Sequence, residues 1–590
     1  MKCSFSQLLL LMFLFHAAAA QQNHSIKKPN VLIIIADDQG WGDLGFTGNK
    51  SVSTPNLDQL AKSGVLLDRF YVSPVCSPTR AEFLTGRYHV RTGVSGTATG
   101  RVRLDLDEST ITEAFKHAGY KTALFGKWHN GGQAPYHPNC RGIDEFYGFC
   151  SGHWGNYFNP VLEHNGEIVK GNGFITNDLT DHTIDYINKK NDQPFFLIMA
   201  LNTPHSPMQV PEEFWNRYKN KIIQQKGGIP EKEDIEHTRA AMALNENIDV
   251  NIGRIMNTLK KNNQLDNTII IYFSDNGPNG NRYNGGMKGI KGSVDEGGVR
   301  VPFIIQWNKI IKGGRKIPTI AANIDLFPTL IDLAGIEWKN PKPFDGISLK
   351  NILLMGKYEA SDRIIPSFWA NETSVRSQQF RLSNKNQLFD MVNDPNQTKN
   401  VAHEFPKEFQ KLSSWKENWL KTVRTELPDQ DLRPLIVGNK KMALTKLPAS
   451  EAEAKGNIIR SSKHPNDSYF KGWKSTDDKI FWNIEVESDG LFEVEVYYAC
   501  SEKNIGSELE MQFNGASISY KIQTANNAPV IGMEHDKVLR EESYVKDFKP
   551  MKLGKIYLKK GKGMLELYSK HLNTPDDLES NLITLRRISE

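Results

Sequence analysis

The sequence predicts an α/β protein: a mostly parallel sheet flanked by helices, then a small α+β subdomain, then an appended all-β sandwich. Three observations lead there. Between residues 28 and 337, continuous apolar runs alternate with amphipathic segments, as when strands buried on both faces are joined by helical crossovers. From 318 to about 425, short strand-like pieces precede a single helix. From about 447 onward the period changes to apolar–polar alternation, broken by Gly-bearing turns. The expected boundaries are 1–20 for a leader, 21–317 for the α/β domain and 318–425 for the α+β subdomain. A Pro- and charge-bearing linker at 426–446 leads into the sandwich at 447–590.

Composition narrows the class. The chain has 590 residues, 39% hydrophobic and 24% charged, enough for roughly two to four domains and too apolar for disorder as the main state. A net charge of +5 is too small at this length to indicate a nucleic-acid partner. Mean hydropathy is −0.49 and one long apolar stretch stands out, which excludes a multi-span membrane protein. That stretch has Lys2 ahead of an apolar run at 8–15, then Ala17 to Ala20 and polar Gln21-Gln22: a secretory signal peptide. After cleavage no membrane span remains, and the expected location is secreted or periplasmic. Cys3 leaves with the leader. Cys140 and Cys150 are the only plausible pair, and their spacing leaves open whether they bridge. Cys500 reads as a buried thiol in a strand.

The elements follow in order. Residues 31–36, 121–125, 195–200 and 268–273 are the apolar runs expected to be strands. Ser109-Thr110 with Glu113 marks a capped helix start running to His117, and residues 235–259 form a long helical segment. Ligands gather at the carboxyl ends of strands in such sheets. Those ends carry Asp37-Asp38, Gly126-Lys127-Trp128-His129, Asn202-Thr203-Pro204-His205 and Ser274-Asp275-Asn276-Gly277, so acids, amides, imidazoles and an ammonium meet at one edge. Farther on, 387–391 reads as a strand and 407–422 as a helix. In the last region 491–498, 509–513 and 555–558 alternate. Asp489-Gly490, Asn514-Gly515 and Gly561-Lys562-Gly563 are turn signals there.

The segment Cys76-Ser77-Pro78-Thr79-Arg80 precedes Leu84-Thr85-Gly86-Arg87. Pro78 suits a first helical position, which puts Cys76 at or just before a helix N-terminus, where free N–H groups and the dipole favour an anion. Arg80 lies one turn on. A buried structural thiol or a thiolate nucleophile would also fit the residues alone. The extended segment resembles the signature of the type I sulfatases, the formylglycine-dependent branch of the alkaline phosphatase superfamily, and the similarity runs from Lys28 to about Thr422.

That resemblance implies an alkaline-phosphatase-like sheet and oxidation of Cys76 to 3-oxoalanine (formylglycine) by a maturation enzyme. It implies a calcium ion, Ca2+, held by Asp37, Asp38, Asp275 and Asn276 and completed by the modified Cys76; oxygen donors suit such a hard cation. Arg80 would steady the nucleophile. Lys127 and His129 would flank it, and His205 would sit across from it. Lys291 would be the second active-site lysine, preferred over Lys288 for its place before Gly292-Ser293. The implied reaction is in-line attack on sulfur by one hydroxyl of the hydrated aldehyde. His205, helped by Lys291, would protonate the leaving alcohol, and His129 would then take the proton that lets sulfate depart.

The leaving-group side is less defined. The loop His153-Trp154-Gly155-Asn156-Tyr157 reads equally as a sugar-stacking surface and as core, and His237 and Arg239 are further candidates for an anionic sugar. The β-rich module loosely resembles carbohydrate-binding sandwiches appended to polysaccharide-active enzymes. Together these features look like an exported bacterial sulfatase acting on a sulfated oligo- or polysaccharide. Ulvan is the first expectation, carrageenan and fucoidan are reasonable alternatives, and host glycosaminoglycans come next. Two rival readings stay open. A phosphoester or phosphonate hydrolase of the same superfamily would want a second Asp/His cluster if it used two zinc ions. A catalytically inactive carbohydrate-binding protein on a sulfatase fold would not need every catalytic position filled.

Overall fold

Four apolar runs form the middle of an eleven-stranded sheet. Its strands are β1 (Asn30–Ala36), β2 (Val65–Tyr71), β3 (Lys121–Lys127), β4 (Glu145–Phe149), β5 (Val161–His164), β6 (Glu167–Lys170), β7 (Phe195–Ala200), β8 (Thr268–Ser274), β9 (Arg300–Val301), β10 (Phe303–Gln306) and β11 (Arg315–Ala322). The structure is a computed structural model describing residues 28–189, 192–356, 362–427 and 431–589. The expected leader at 1–20 lies outside the described residues. The strand order is β11-β2-β10-β8-β1-β7-β3-β4-β5-β6, with β9 paired to β2. Strands β8, β1, β7, β3 and β4 run parallel; β10 and β5 enter antiparallel. The sheet is therefore mostly parallel, as the apolar runs required.

Both faces are covered, which explains why β1 is apolar at every position from Val31. Val31, Ile33 and Ile35 join one core, with Phe115 and Leu330 from the helices Ile111–His117 and Leu326–Leu333. Leu32, Ile34 and Ala36 join the other, with Leu179 and Ile248 from Ile175–Asn188 and Ile235–Lys261. The capping box is present: Thr110 accepts from Glu113 N, and Glu113 accepts from Thr110 N. Asp234 caps the long helix by accepting from Glu236 N and His237 N.

Beyond the sheet, strands Ile365–Trp369, Glu372–Arg376, Phe380–Leu382 and Leu388–Asp390 form an antiparallel sheet packed on the helix Pro406–Arg424 through Val375, Leu382 and Leu412. Two six-stranded sheets then face each other around Trp473, Trp482, Phe492 and Leu565. Asn514-Gly515 closes a two-residue hairpin, with φ of 45° and 84° as a type I′ turn requires. Asp489-Gly490 is not a hairpin turn. It carries the chain from Lys479–Val486 in one sheet to Gly490–Ala499 in the other.

Within 426–446, expected as linker, Leu435–Val437 pairs in parallel with Lys479–Val486, and across its end Leu444–Pro448 pairs with the final strand. Each strand is so short that its alternation does not stand out from the flanking charged residues. All four described cysteines are free, so Cys140 and Cys150 do not bridge. Among the described residues no helix is long and apolar enough to cross a membrane.

Where β3 meets β7, Gly126 has φ 115°, and a Cβ there would lie 1.9 Å from the Ala200 carbonyl oxygen. Gly126→Ala should cost about 3 kcal/mol and lower the thermal unfolding midpoint, read by circular dichroism. An unchanged midpoint would show that the strands can part there without penalty.

Candidate active site

Because β8, β1, β7 and β3 are sheet neighbours, their four carboxyl ends converge. Backbone bonds fix the loops: Asp37 N donates to Thr203 O at 3.1 Å and Asp275 N to Ala36 O at 3.1 Å. Asp37, Asp38 and Asp275 are wholly buried, and three cations face them. Lys127 Nζ donates to Asp37 at 2.7 Å, Arg80 to Asp275 at 2.8 Å and Lys291 Nζ to Asp38 at 2.8 Å. Asn276 Nδ2 donates to Asp38 Oδ1 at 2.8 Å.

Burial, with Asp275 beside it, pushes the Asp37 carboxyl up to about 8. Burial alone would raise Asp38 too, but His205, Lys291 and Asn276 override it and hold that carboxyl below the usual range. Burial opposes the Lys291 charge, and Asp38 overrides that as well, keeping the ammonium more firmly protonated than usual.

The buried Asp37 Oδ1 and Asn276 Oδ1 have no hydrogen-bond donor among the described residues. Two orphaned oxygens, beside carboxylates strained by mutual proximity, are what a cation would satisfy, and an all-oxygen donor set fits a hard divalent ion. The chemistry of the residues therefore fits such an ion.

Cys76 opens the helix Cys76–Thr85, every residue of which is buried. The helix begins two residues before Pro78, so Pro78 is its third residue rather than its first. Thr79 stabilises this start, its hydroxyl accepting from Ser73 N at 3.0 Å. Cys76 Sγ lies within 4.8 Å of a carboxylate oxygen of both Asp37 and Asp275. Burial holds its thiol above the ordinary value, against the pull of Lys127 and Lys291. Arg80 does not turn back to Cys76 for a hydrogen bond. It joins Asp275 to the Lys127 carbonyl at 2.9 Å, tying this helix to β8 and β3.

The histidines are set by backbone carbonyls. His129 Nε2 meets Thr97 O at 3.0 Å, which makes that nitrogen the donor and leaves buried Nδ1 bare and without a partner among the described residues. Burial and Lys127 keep His129 neutral, well below its ordinary value. His205 Nδ1 meets Ser206 O at 2.6 Å, so Nε2 faces Asp38 at 3.5 Å. Burial lowers His205 to about 4, with Asp38 opposing and Lys291 reinforcing.

A cleft of about 660 Å3 is lined by Cys76, His129, His205 and Lys291 together. Every residue expected at the site is thus within it or in the buried cluster beneath. Lys288 is exposed and makes no such contact. His153 stacks on His205 with ring centroids 5.9 Å apart, while Trp154 packs on Phe149 as core. His237 lines the cleft, but Arg239 turns to Lys221 O and Glu236.

Sequence reasoning missed Asp43 and Arg282. Arg282 is buried, pairs with both Asp43 oxygens at 2.7 and 2.6 Å, and donates to Asp38 O at 2.9 Å. Asp38 has φ 65°, so that carbonyl is held in an unfavourable backbone state. Nothing in the local sequence announces this pair, whose members are 239 residues apart. Arg282→Met would strand the Asp43 carboxylate and should cost about 3–5 kcal/mol, measured by calorimetric unfolding. A loss under about 1 kcal/mol would show that water reaches Asp43 and Asp38 needs no such clamp.

Comparison with known proteins follows this geometry. Residues 29–336 match the family model described as Sulfatase, and residues 291–426 match one described as N-sulphoglucosamine sulphohydrolase, C-terminal. The N-acetylgalactosamine-6-sulfatase of Sus scrofa is 32% identical over 384 residues, 59% of this chain and 70% of that protein. The solved structure of Ps i-CgsB with k-i-k-neocarrahexaose is 31% identical, with a TM-score of 0.62, covering 67% of this chain and 93% of that one. The sulfatase yidJ from Bacteroides fragilis, 24% identical with a TM-score of 0.59 over 69% of this chain and 98% of its own, shares the fold. The chain belongs to the sulfatase family and is a sulfuric ester hydrolase of the alkaline phosphatase superfamily.

Proposed function

We propose that this sulfatase is an exported enzyme that removes sulfate from a sulfated sugar. In this reading Cys76 matures to 3-oxoalanine, and Asp37, Asp38, Asp275 and Asn276 hold Ca2+. The observation that carries it is Cys76 lining the cleft with Sγ within 4.8 Å of carboxylate oxygens of Asp37 and Asp275, while Asp37 Oδ1 and Asn276 Oδ1 have no donor among the described residues. With all three carboxylates ionised the three ion pairs carry no net charge; a bound divalent ion favours the ionised form of Asp37 and makes the site cationic, which suits an anionic ester. The carbohydrate class rests on what the relatives are named for: an N-acetylgalactosamine 6-sulfate in one, a neocarrahexaose complex in another. Ulvan stays a candidate among the algal glycans. Export rests on the leader pattern at 1–20, and maturation needs a formylglycine-generating partner.

When bound, the calcium ion and the oxidised Cys76 supply an acidified hydroxyl as the nucleophile. The remaining work falls to this chain's side chains. Lys291 lines the cleft and Lys127 lies buried beneath it, both close enough to Cys76 to act on its charge, and in this reading they stabilise the sulfate oxygens as charge redistributes. Arg80 holds Asp275 and the helix start in place. His205 presents Nε2 to the leaving oxygen; an anionic ester bound beside it favours the imidazolium, and Lys291 keeps a second proton close. In this reading His129, held neutral by burial and with Nδ1 unpartnered among the described residues, would accept the proton released at Cys76.

Co-expressed with a formylglycine-generating enzyme, and with the aldehyde verified by peptide mass spectrometry, the protein should release sulfate from one class in a panel of algal and animal sulfated oligosaccharides. Cys76→Ala and Cys76→Ser should fold normally and release none; full activity in either would refute the assignment. Stripping divalent ions with EGTA should abolish turnover and calcium should restore it. Turnover that survives EGTA would remove the cation from the account.

A further inference from the structure

Both family matches end at or before residue 426, yet the active-site cleft is not complete there. One wall of it is made by the C-terminal β module, through residues 464–466 and 538–542. The module is anchored on the loops that carry the catalytic histidines. Asn466 Nδ2 donates to Thr97 O at 3.0 Å, the same carbonyl that orients His129. Asp467 accepts from Gly155 N at 2.5 Å and Arg540 donates to Gly155 O at 2.6 Å, gripping the loop that bears His153. Glu542 accepts from the hydroxyl of Ser206, whose own carbonyl holds His205. Lys537 N donates to Met208 O at 3.0 Å, two residues farther along the same loop.

Glu542 is the unexpected member. It is half-buried in a cleft built to admit an anion. Its neighbour Glu541 is ion-paired with Lys463 at 2.8 Å and reaches His464 at 3.5 Å. Among the described residues no cation pairs with Glu542. An unpaired carboxylate there opposes every anion that enters, so it lowers affinity unless the substrate offers it hydrogen-bond donors. Hydroxyl and amide N–H groups of a sugar ring are such donors, and a second sulfate or a carboxylate on that side is repelled.

We propose that the β module is the leaving-group wall of the sulfatase site. Glu542 is its specificity-determining residue, selecting sugars with free hydroxyl or amide donors and no second anionic group on that side, and Asn466 positions His129. The proposal rests on the sulfated-sugar reading above and names the part of the sugar that is read.

The test uses the matured full-length chain hydrolysing 4-nitrophenyl sulfate, with N-acetylgalactosamine 6-sulfate and D-glucosamine 2-N,6-O-disulfate as competitors. Wild type should be inhibited more strongly by the monosulfated sugar. Glu542→Gln should shift the ratio of inhibition constants about tenfold toward the disulfate, a typical effect of one removed like charge. Glu542→Asp, which keeps the charge, should hold the wild-type ratio, and equal thermal midpoints exclude misfolding. Asn466→Ala should lower kcat and move the pH profile with KM little changed. A ratio that moves less than about twofold in Glu542→Gln, or an Asn466→Ala effect confined to the thermal midpoint, overturns the proposal. No hydrolysis of 4-nitrophenyl sulfate or of either sugar sulfate by wild type with verified aldehyde would instead overturn the reading of Cys76 beneath it.

Discussion

Three buried carboxylates pinned against three buried or half-buried cations at one edge of a parallel sheet are the constraint on which the rest depends. An unpaired ion at such depth costs several kcal/mol, so Asp37, Asp38 and Asp275 are tolerable only because Lys127, Lys291 and Arg80 reach them. That requirement orders the architecture. Arg80 must come from a helix packed over β8 and β3, Lys127 from the end of β3, and Lys291 from a loop that returns after β8. Adjacency of β8, β1, β7 and β3 brings the acids within reach, and close approach of β3 to β7 excludes a side chain at position 126. The pairing is complete in charge but not in hydrogen bonds. Among the described residues Asp37 Oδ1 and Asn276 Oδ1 have no partner, and that deficit supports the proposal that the cluster receives a cation rather than standing as a closed salt-bridge network.

The same arrangement divides the labour among the histidines. Each is oriented by a backbone carbonyl on a different nitrogen, His129 through Nε2 and His205 through Nδ1. One therefore keeps a bare, buried Nδ1, and the other turns its bare Nε2 toward Asp38. The difference follows from the loops that carry them, Gly126-Lys127-Trp128-His129 after β3 and Asn202-Thr203-Pro204-His205 after β7, not from any difference in the imidazoles.

How much of this was legible in the sequence depended on range. Strands buried on both faces betray themselves by apolar runs, and their polar ends gave the edge where the site lies. The capping box at Thr110 and Glu113 and the type I′ hairpin at Asn514-Gly515 are local, so they could be read locally. The resemblance carried by Cys76 through Arg87 supplied the rest of the site list, which composition and period alone do not yield. Long-range pairs were not legible: Arg282 with Asp43, and Glu542 with Ser206, join positions hundreds of residues apart. The strand Leu435–Val437, and Leu444–Pro448 where the expected linker ends, could not be read because three to five residues are too few to establish a period. Nor did alternation in the β module, which loosely resembles carbohydrate-binding sandwiches, say which way its loops face, and residues 464–466 and 538–542 line the cleft.

The most direct test of the central claim is a crystal structure grown with calcium, with anomalous scattering collected at a wavelength where calcium contributes. The account predicts one anomalous peak within coordination distance of Asp37, Asp38, Asp275 and Asn276, about 2.3–2.6 Å from their oxygens, with the two orphaned Oδ1 atoms among the ligands. Water at that position with no anomalous signal, and Lys127 and Lys291 still bonded to Asp37 and Asp38, would contradict it. The cluster would then be a self-sufficient ionic network, and the chemistry assigned to Cys76 would need another source of activation.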